Sequence, residues 1–148
     1  MEKNVVIDAS LAVMWGVPEN YSVQALLLAE NWGEKGISLL APCLLMTEVT
    51  NALYKRIIRK EMDLTRALNA LEVILAFGIE IQEEAGLHAL AMELSLKLGH
   101  PATYDAHYLA LALMQDCSIW TGDRRFYNAA RKLFPQVHWV GEEGIGIS

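Results

Sequence analysis

The sequence predicts an α/β domain in three layers, a mostly parallel central sheet with helices on both faces. Short β-rich runs alternate with longer helical patterns along the whole chain, few connections carry a tight hairpin signal, and the apolar residues are spread evenly. With 148 residues, near the modal domain size, residues 1–148 are read as one domain, burying roughly 70% of the surface that the unfolded chain exposes.

The first strand is Asn4–Ile7, ending at Asp8, with a short helix starting near Ser10. Ser22–Glu34 reads as a helix with Leu26, Leu27 and Ala29 inward, closed by Gly36, and a second strand over 37–41 ends at Pro42. Residues 44–60 form a helix with Leu45, Val49, Ala52, Leu53, Ile57 and Ile58 near helical spacing, and basic residues at its C-terminal end suit the macrodipole. A helix over 64–77 stops at Gly78, where a C-terminal glycine belongs, and a short strand covers 79–82. The helix over 85–98 keeps Leu87, Leu90, Ala91, Leu94 and Leu98 on one stripe until Gly99, His100 and Pro101 break it. Thr103 is the expected N-cap of a helix over 104–115. A strand at Ser118–Thr121, a helix over 124–133 and a strand over 137–140 complete the series, with neither repeat nor linker.

The composition, 53% hydrophobic and 20% charged, excludes disorder. The longest apolar runs, such as 109–114, fall far short of the ~20 residues that span a membrane. The N-terminal segment reaches an acid after three apolar residues, so it lacks a signal-peptide core, and a soluble, cytoplasmic protein is expected. Cys43 and Cys117 stand apart with no zinc spacing around them and are expected to be reduced, buried and structural. A net charge of −6 taken alone speaks against nucleic acid, since such binding rests on cations meeting phosphates.

In open parallel sheets, ligands bind beyond the carboxyl ends of the strands. Asp8 and Asp123 follow two predicted strands directly, Asp105 lies in the first turn of a helix that begins at that edge, and Glu48 lies early in another. Singly, Asp8, Asp105 and Asp123 are explained by helix capping or by the macrodipole. Glu48 sits among Leu45, Val49 and Ala52, where a buried carboxylate needs a partner. Together the four point to a shared cation: two unit charges 4 Å apart repel by roughly 4 kcal/mol at an effective dielectric of 20. All-oxygen ligation suits Mg²⁺ or Mn²⁺, and such a site can activate water for in-line attack on a phosphodiester.

Four segments extend this reading. They are Val6-Ile7-Asp8-Ala9-Ser10, Thr47-Glu48-Val49-Thr50-Asn51-Ala52-Leu53, Tyr104-Asp105-Ala106-His107-Tyr108-Leu109-Ala110-Leu111-Ala112, and Thr121-Gly122-Asp123-Arg124-Arg125-Phe126. In this order and spacing, over nearly the whole chain, they resemble the PIN-domain nucleases and, within them, the VapC-type toxins of toxin–antitoxin pairs. The resemblance implies that Asp8, Glu48, Asp105 and Asp123 are the catalytic acids that hold Mg²⁺ or Mn²⁺. It implies supporting positions at Ser10, Thr121 and Asn51, and hydrolysis of single-stranded or looped RNA to 5′-phosphate and 3′-hydroxyl ends. It further implies a homodimer silenced by a small antitoxin protein.

Nine of the twelve cations are grouped, Lys55, Arg56, Arg59, Lys60 and Arg66 in one cluster and Arg124, Arg125, Arg131 and Lys132 in another. Arg124 and Arg125 follow an acid of the quartet and are candidates for the phosphate backbone, while Arg131 and Lys132 read as a solvated face. The four tryptophans sit in or beside apolar runs and are expected in the core, leaving Tyr104 as the best candidate for stacking on a base. His107 points away from Asp105, and His88, His100 and His138 carry no partner pattern.

Other enzyme classes fit less well. A haloacid-dehalogenase-type phosphatase needs a second Asp where Ser10 stands, and a response-regulator receiver needs an acidic pair at the first strand and a late Lys, which the chain lacks after Lys132. Gly144-Ile145-Gly146 has no helix after it and is no dinucleotide fingerprint. The remaining rivals are a PIN-like protein-binding module with an inactive acidic site and a metal-dependent phosphatase. Setting the four acids aside leaves 14 acids against 12 bases, so most of the −6 belongs to the candidate metal site, and one divalent ion would bring the chain to −4.

Overall fold

The computed structural model describes residues 2–142; Gly144-Ile145-Gly146 lies outside the described residues. The elements run β1 (Asn4–Ile7), α1 (Ala9–Gly16), α2 (Ser22–Glu34), β2 (Ser38–Ala41), α3 (Leu44–Ile58), α4 (Leu64–Leu75), β3 (Glu80–Ile81), α5 (Leu87–Leu98), α6 (Tyr104–Met114), β4 (Ser118–Thr121), α7 (Arg124–Ala130) and β5 (Val137–Trp139). Every strand pairing is parallel, in the order β3-β2-β1-β4-β5. The expected α/β/α sandwich is therefore the observed fold.

β1 lies at the centre because Val5, Val6 and Ile7 are all buried, the continuous apolar run that a strand covered on both faces requires. The chain winds outward from β1 to β2 and β3, then returns to β1's other side for β4 and β5. The sheet thus reverses its winding between β1 and β4. α5 and α6 pack together, with α6 against β1 and β4, while α1 packs with α2, α3 and α4. Among the described residues no helix is long and apolar enough to cross a membrane.

Several local expectations need correction. α2 buries Ala25, Leu28 and Trp32, whereas Leu26 and Leu27 are 45% and 41% exposed. Three consecutive leucines do not state which one faces inward, and the tertiary anchors decide. The Trp15 indole N–H donates to the Ala25 carbonyl at 2.9 Å, and Trp32 packs edge-on to Trp120 with 5.7 Å between ring centroids. In α3, Leu45, Val49 and Leu53 are buried, but Ile58, in the frayed last turn, is exposed. Thr103 occupies the cap position of α6 without a side-chain bond, its carbonyl receiving His107 instead. Cys117 is buried as expected, but Cys43, in the turn between β2 and α3, is exposed.

α1 approaches α4 at a glycine. A Cβ on Gly16 would lie 2.7 Å from the Ala70 carbonyl oxygen and 3.0 Å from Ile74 side-chain carbons, with backbone as the nearest obstacle. Gly16→Ala is expected to destabilise the protein by about 1–3 kcal/mol through overpacking, read as a lower midpoint in urea. An unchanged midpoint would show that α4 can move aside without cost.

Candidate active site

The point at which the winding reverses is where open α/β sheets place their ligands, because two diverging connections leave a crevice there. Asp8 ends β1 at this point. It is only 6% exposed, and its side chain caps α1 by accepting the Leu11 N–H on Oδ1 at 3.0 Å. The same oxygen accepts the Ser10 hydroxyl at 2.7 Å, and Oδ2 accepts the Thr121 hydroxyl, from the end of β4, at 2.5 Å. A carboxylate offers about four acceptor positions, so three are in use and the remaining one lies on Oδ2.

The Thr121-Gly122-Asp123 turn completes this corner. The Gly122 N–H donates to Ser10 Oγ at 2.9 Å, and the Asp123 N–H donates to Thr121 Oγ1 at 2.9 Å. Glycine at 122 lets this turn pack closely, since a Cβ there would lie 2.7 Å from the end of Met14 and 3.0 Å from the Ser10 carbonyl. Asp123 caps α7 with Oδ1, which accepts from Arg125 N at 2.9 Å and, more weakly, from Phe126 N at 3.4 Å. Its other oxygen makes no hydrogen bond among the described residues.

Glu48 stands in the second turn of α3, half-buried, and has the partner that its surroundings demand. The buried Tyr108 hydroxyl donates to its Oε1 at 2.5 Å. Tyr108 was not singled out from the sequence, although it lies three residues after Asp105 on α6, the spacing that puts two side chains on one helix face. Asp105, half-buried in the first turn of α6, makes no side-chain hydrogen bond among the described residues.

Three of the four carboxyls are held above the usual carboxylate range. Burial pushes Asp8 up to about 6, against the pull of its hydrogen bonds and with some help from Asp105. Burial likewise raises Glu48, opposed by the Tyr108 hydrogen bond and reinforced by Asp105. Asp105 is raised by burial and then by the field of Asp123. Asp105 is thus electrostatically coupled to all three other acids. Burial, together with its bond to Glu48, also pushes the Tyr108 phenol well above its ordinary value, so it remains a donor.

Among the described residues none of the four is ion-paired with Lys or Arg; the ion pairs there are Arg56–Glu19 and two histidine–glutamate pairs. The donors are all oxygen, and the negative charge is concentrated, eased in part by His107 near Glu48 and His100 near Asp105, which suits a hard divalent cation. Among the described residues, no three His, Cys, Asp or Glu side chains already converge tightly enough to enclose an ion. Mg²⁺ needs no such cage, because it keeps several waters and takes one or two carboxylates.

Two grooves meet along Glu48 and Asn51. One, of about 410 Å³, runs past Ser10, Gly122, Lys55 and Arg56. The other, of about 660 Å³, is walled by Thr47, Tyr54 and Tyr104. Asn51 is therefore beside the acids but exposed. Arg124 lies over the Trp139 ring, 5.1 Å from its centroid, and Arg125 is exposed. Three tryptophans are buried as expected, while Trp139 is half-buried. The histidines do find partners: His88 Nδ1 lies 3.0 Å from His107 Nε2, His138 stacks on Trp120, and His100 meets Phe126 edge-on.

Comparison with known proteins identifies the family and the fold. The family model for the PIN domain matches residues 4–134. A search of curated proteins finds no match. Among solved structures, the crystal structure of PAE2754 from Pyrobaculum aerophilum aligns with a TM-score of 0.68 at 21% identity, over 95% of this chain and 92% of that one. The sarcin–ricin loop cleaving toxin VapC20 of Mycobacterium tuberculosis aligns with a TM-score of 0.62 at 17% identity, over 85% of this chain and 95% of that one.

The buried carboxyl has a consequence for stability. Asp8 titrates near 3.8 when unconstrained and near 6 when folded, so between those values the folded state holds more protons. Its contribution is fully present below about pH 4 and is lost as pH rises through about 6. Without divalent ions, Asp8→Asn is expected to be more stable than the parent at pH 7.5 by up to about 3 kcal/mol, with the gap closing near pH 4. Urea titrations at the two pH values check this; superimposed pH profiles would contradict it.

Proposed function

The chain belongs to the PIN-domain family, whose members are generally nucleases, and from that premise we propose that it is a Mg²⁺- or Mn²⁺-dependent endoribonuclease, the VapC-like toxin of a toxin–antitoxin pair. The observation that carries the proposal is the set of coupled carboxyls, one of them buried, at the reversal point of the sheet, none of them ion-paired with lysine or arginine among the described residues. Residues 1–148 are taken as one such domain, working in the cytoplasm. The likeness to a sarcin–ricin loop cleaving toxin supports RNA as the substrate, and a small antitoxin and a second copy of the chain are the partners that the family resemblance implies.

In this reading Asp8, Asp105 and Asp123 hold the ion directly or through water, each through an oxygen with acceptor capacity to spare. Ser10 and Thr121 keep the Asp8 carboxylate fixed, so that its remaining lone pair faces one direction. Glu48, pinned at Oε1 by Tyr108, has Oε2 to orient a water or complete the shell. Asn51 supplies a polar group beside it. Arg125 meets the phosphate backbone and Arg124 contributes from its place on Trp139. When bound, the ion supplies a more acidic water and an electrophile for the phosphoryl oxygen. No side chain needs to act as the nucleophile.

Purified protein is expected to cut single-stranded RNA with Mg²⁺ or Mn²⁺, leaving 5′-phosphate and 3′-hydroxyl ends. Asp8→Asn and Asp105→Asn are expected to lose activity on the order of a hundredfold or more, as loss of a position at least as close to the metal as an outer-shell partner implies. Variants that cut as fast as the parent at saturating Mg²⁺ would overturn the assignment.

Divalent ion is also expected to raise the melting temperature. An ion that binds only the folded state adds about 2.7 kcal/mol at a hundredfold excess over its Kd. No shift in a thermal melt at high millimolar Mg²⁺ or Mn²⁺ would remove the metal site from the proposal.

A further inference from the structure

Of the five tyrosines, three are committed within the fold. Tyr108 is buried against Glu48, while Tyr21 and Tyr127 lie against Trp139, the latter also beneath Arg131. Tyr54 on α3 and Tyr104 at the start of α6 are different. They are 59% and 62% exposed, and among the described residues neither ring packs on another aromatic ring and neither hydroxyl makes a hydrogen bond. Both wall the same groove of about 660 Å³, a size typical of ligand sites, and that groove contains Glu48. Thr47 and Asn51 line the same groove and can hydrogen-bond the edge of a planar ligand.

The electrostatics of the cleft restrict what can hold a polynucleotide there. Arg56 is paired with Glu19, Arg124 lies on Trp139, and the acids themselves repel phosphate. Arg125 and Lys55 remain for the phosphate backbone, so part of the affinity for a single strand has to come from its bases. Aromatic faces supply such affinity whatever the base, since every base presents a π-face.

We propose that the Tyr54–Tyr104 groove is a base-stacking subsite that holds unpaired nucleobases next to the scissile phosphate. The proposal rests on the ribonuclease reading above. It selects single strands over duplex, because paired bases present no free face to the rings. It also makes that part of the affinity insensitive to salt, unlike the part carried by lysines and arginines.

The test is steady-state cleavage of a short oligouridylate in Mg²⁺, with the same oligomer carrying one abasic position in turn along its length. Tyr104→Ala and Tyr54→Ala are expected to raise KM on the order of tenfold each while leaving kcat near the parent value. Tyr104→Phe and Tyr104→Trp should restore KM, whereas Tyr104→Leu should not. At one position the abasic change should weaken the parent and add nothing further in Tyr104→Ala. Unchanged KM in both alanine variants, with cleavage still abolished by Asp8→Asn, would overturn the subsite alone and leave the groove to a protein segment. A parent that neither binds nor cuts the oligomer would remove the ribonuclease reading, and the subsite with it.

Discussion

The functional edge depends on a single buried carboxylate. Asp8 joins β1 to β4 through the Thr121 hydroxyl, starts α1 through the Leu11 N–H, and holds the Ser10 hydroxyl, on which the Gly122 N–H in turn rests. β4, far along the chain, therefore shares one acceptor group with the adjacent β1 and α1. Burial makes the charge costly, while the surrounding donors ease the cost without removing it, which is why the carboxyl is held near 6. The fold around the carboxyl is what keeps it close to the point where it exchanges a proton, the property on which the proposed cation site draws.

The parts of the fold legible in the sequence were those fixed by local chemistry. β1, α2 and β4 have the expected bounds because caps, glycine stops and apolar runs specify them. The turn residues Gly36, Gly78 and Gly99 take up the positive φ that ends their helices. Less legible were features set by contacts across the fold. The buried face of α2 is chosen by Trp15 and Trp32, and Cys43 is exposed because its turn lies at the surface beside Glu83. At the candidate site the four acids could be read in order, and Glu48's need for a partner was evident. The identity of that partner, Tyr108, was not, since nothing local connects residues 48 and 108.

Capping and ligation are not competing explanations for these acids. Asp8 caps α1 and Asp123 caps α7, each largely through one oxygen, while the other retains acceptor capacity. A helix N-terminus orients the carboxylate and leaves one edge of it turned toward the cleft. On the proposed reading, the acidic charge of the chain and an RNA substrate are compatible in a similar way, because much of the acidity is gathered where a cation would offset it.

The sheet ends at β3 with only two residues, both exposed and one of them Glu80, and at β5 with three. Edges this short offer too few unpaired backbone groups to template another strand, and a glutamate there opposes close stacking of a second copy. The described sheet is in this way closed to growth at its edges, while exposed apolar side chains such as Val23, Leu26 and Leu27 of α2 lie on helix surfaces instead.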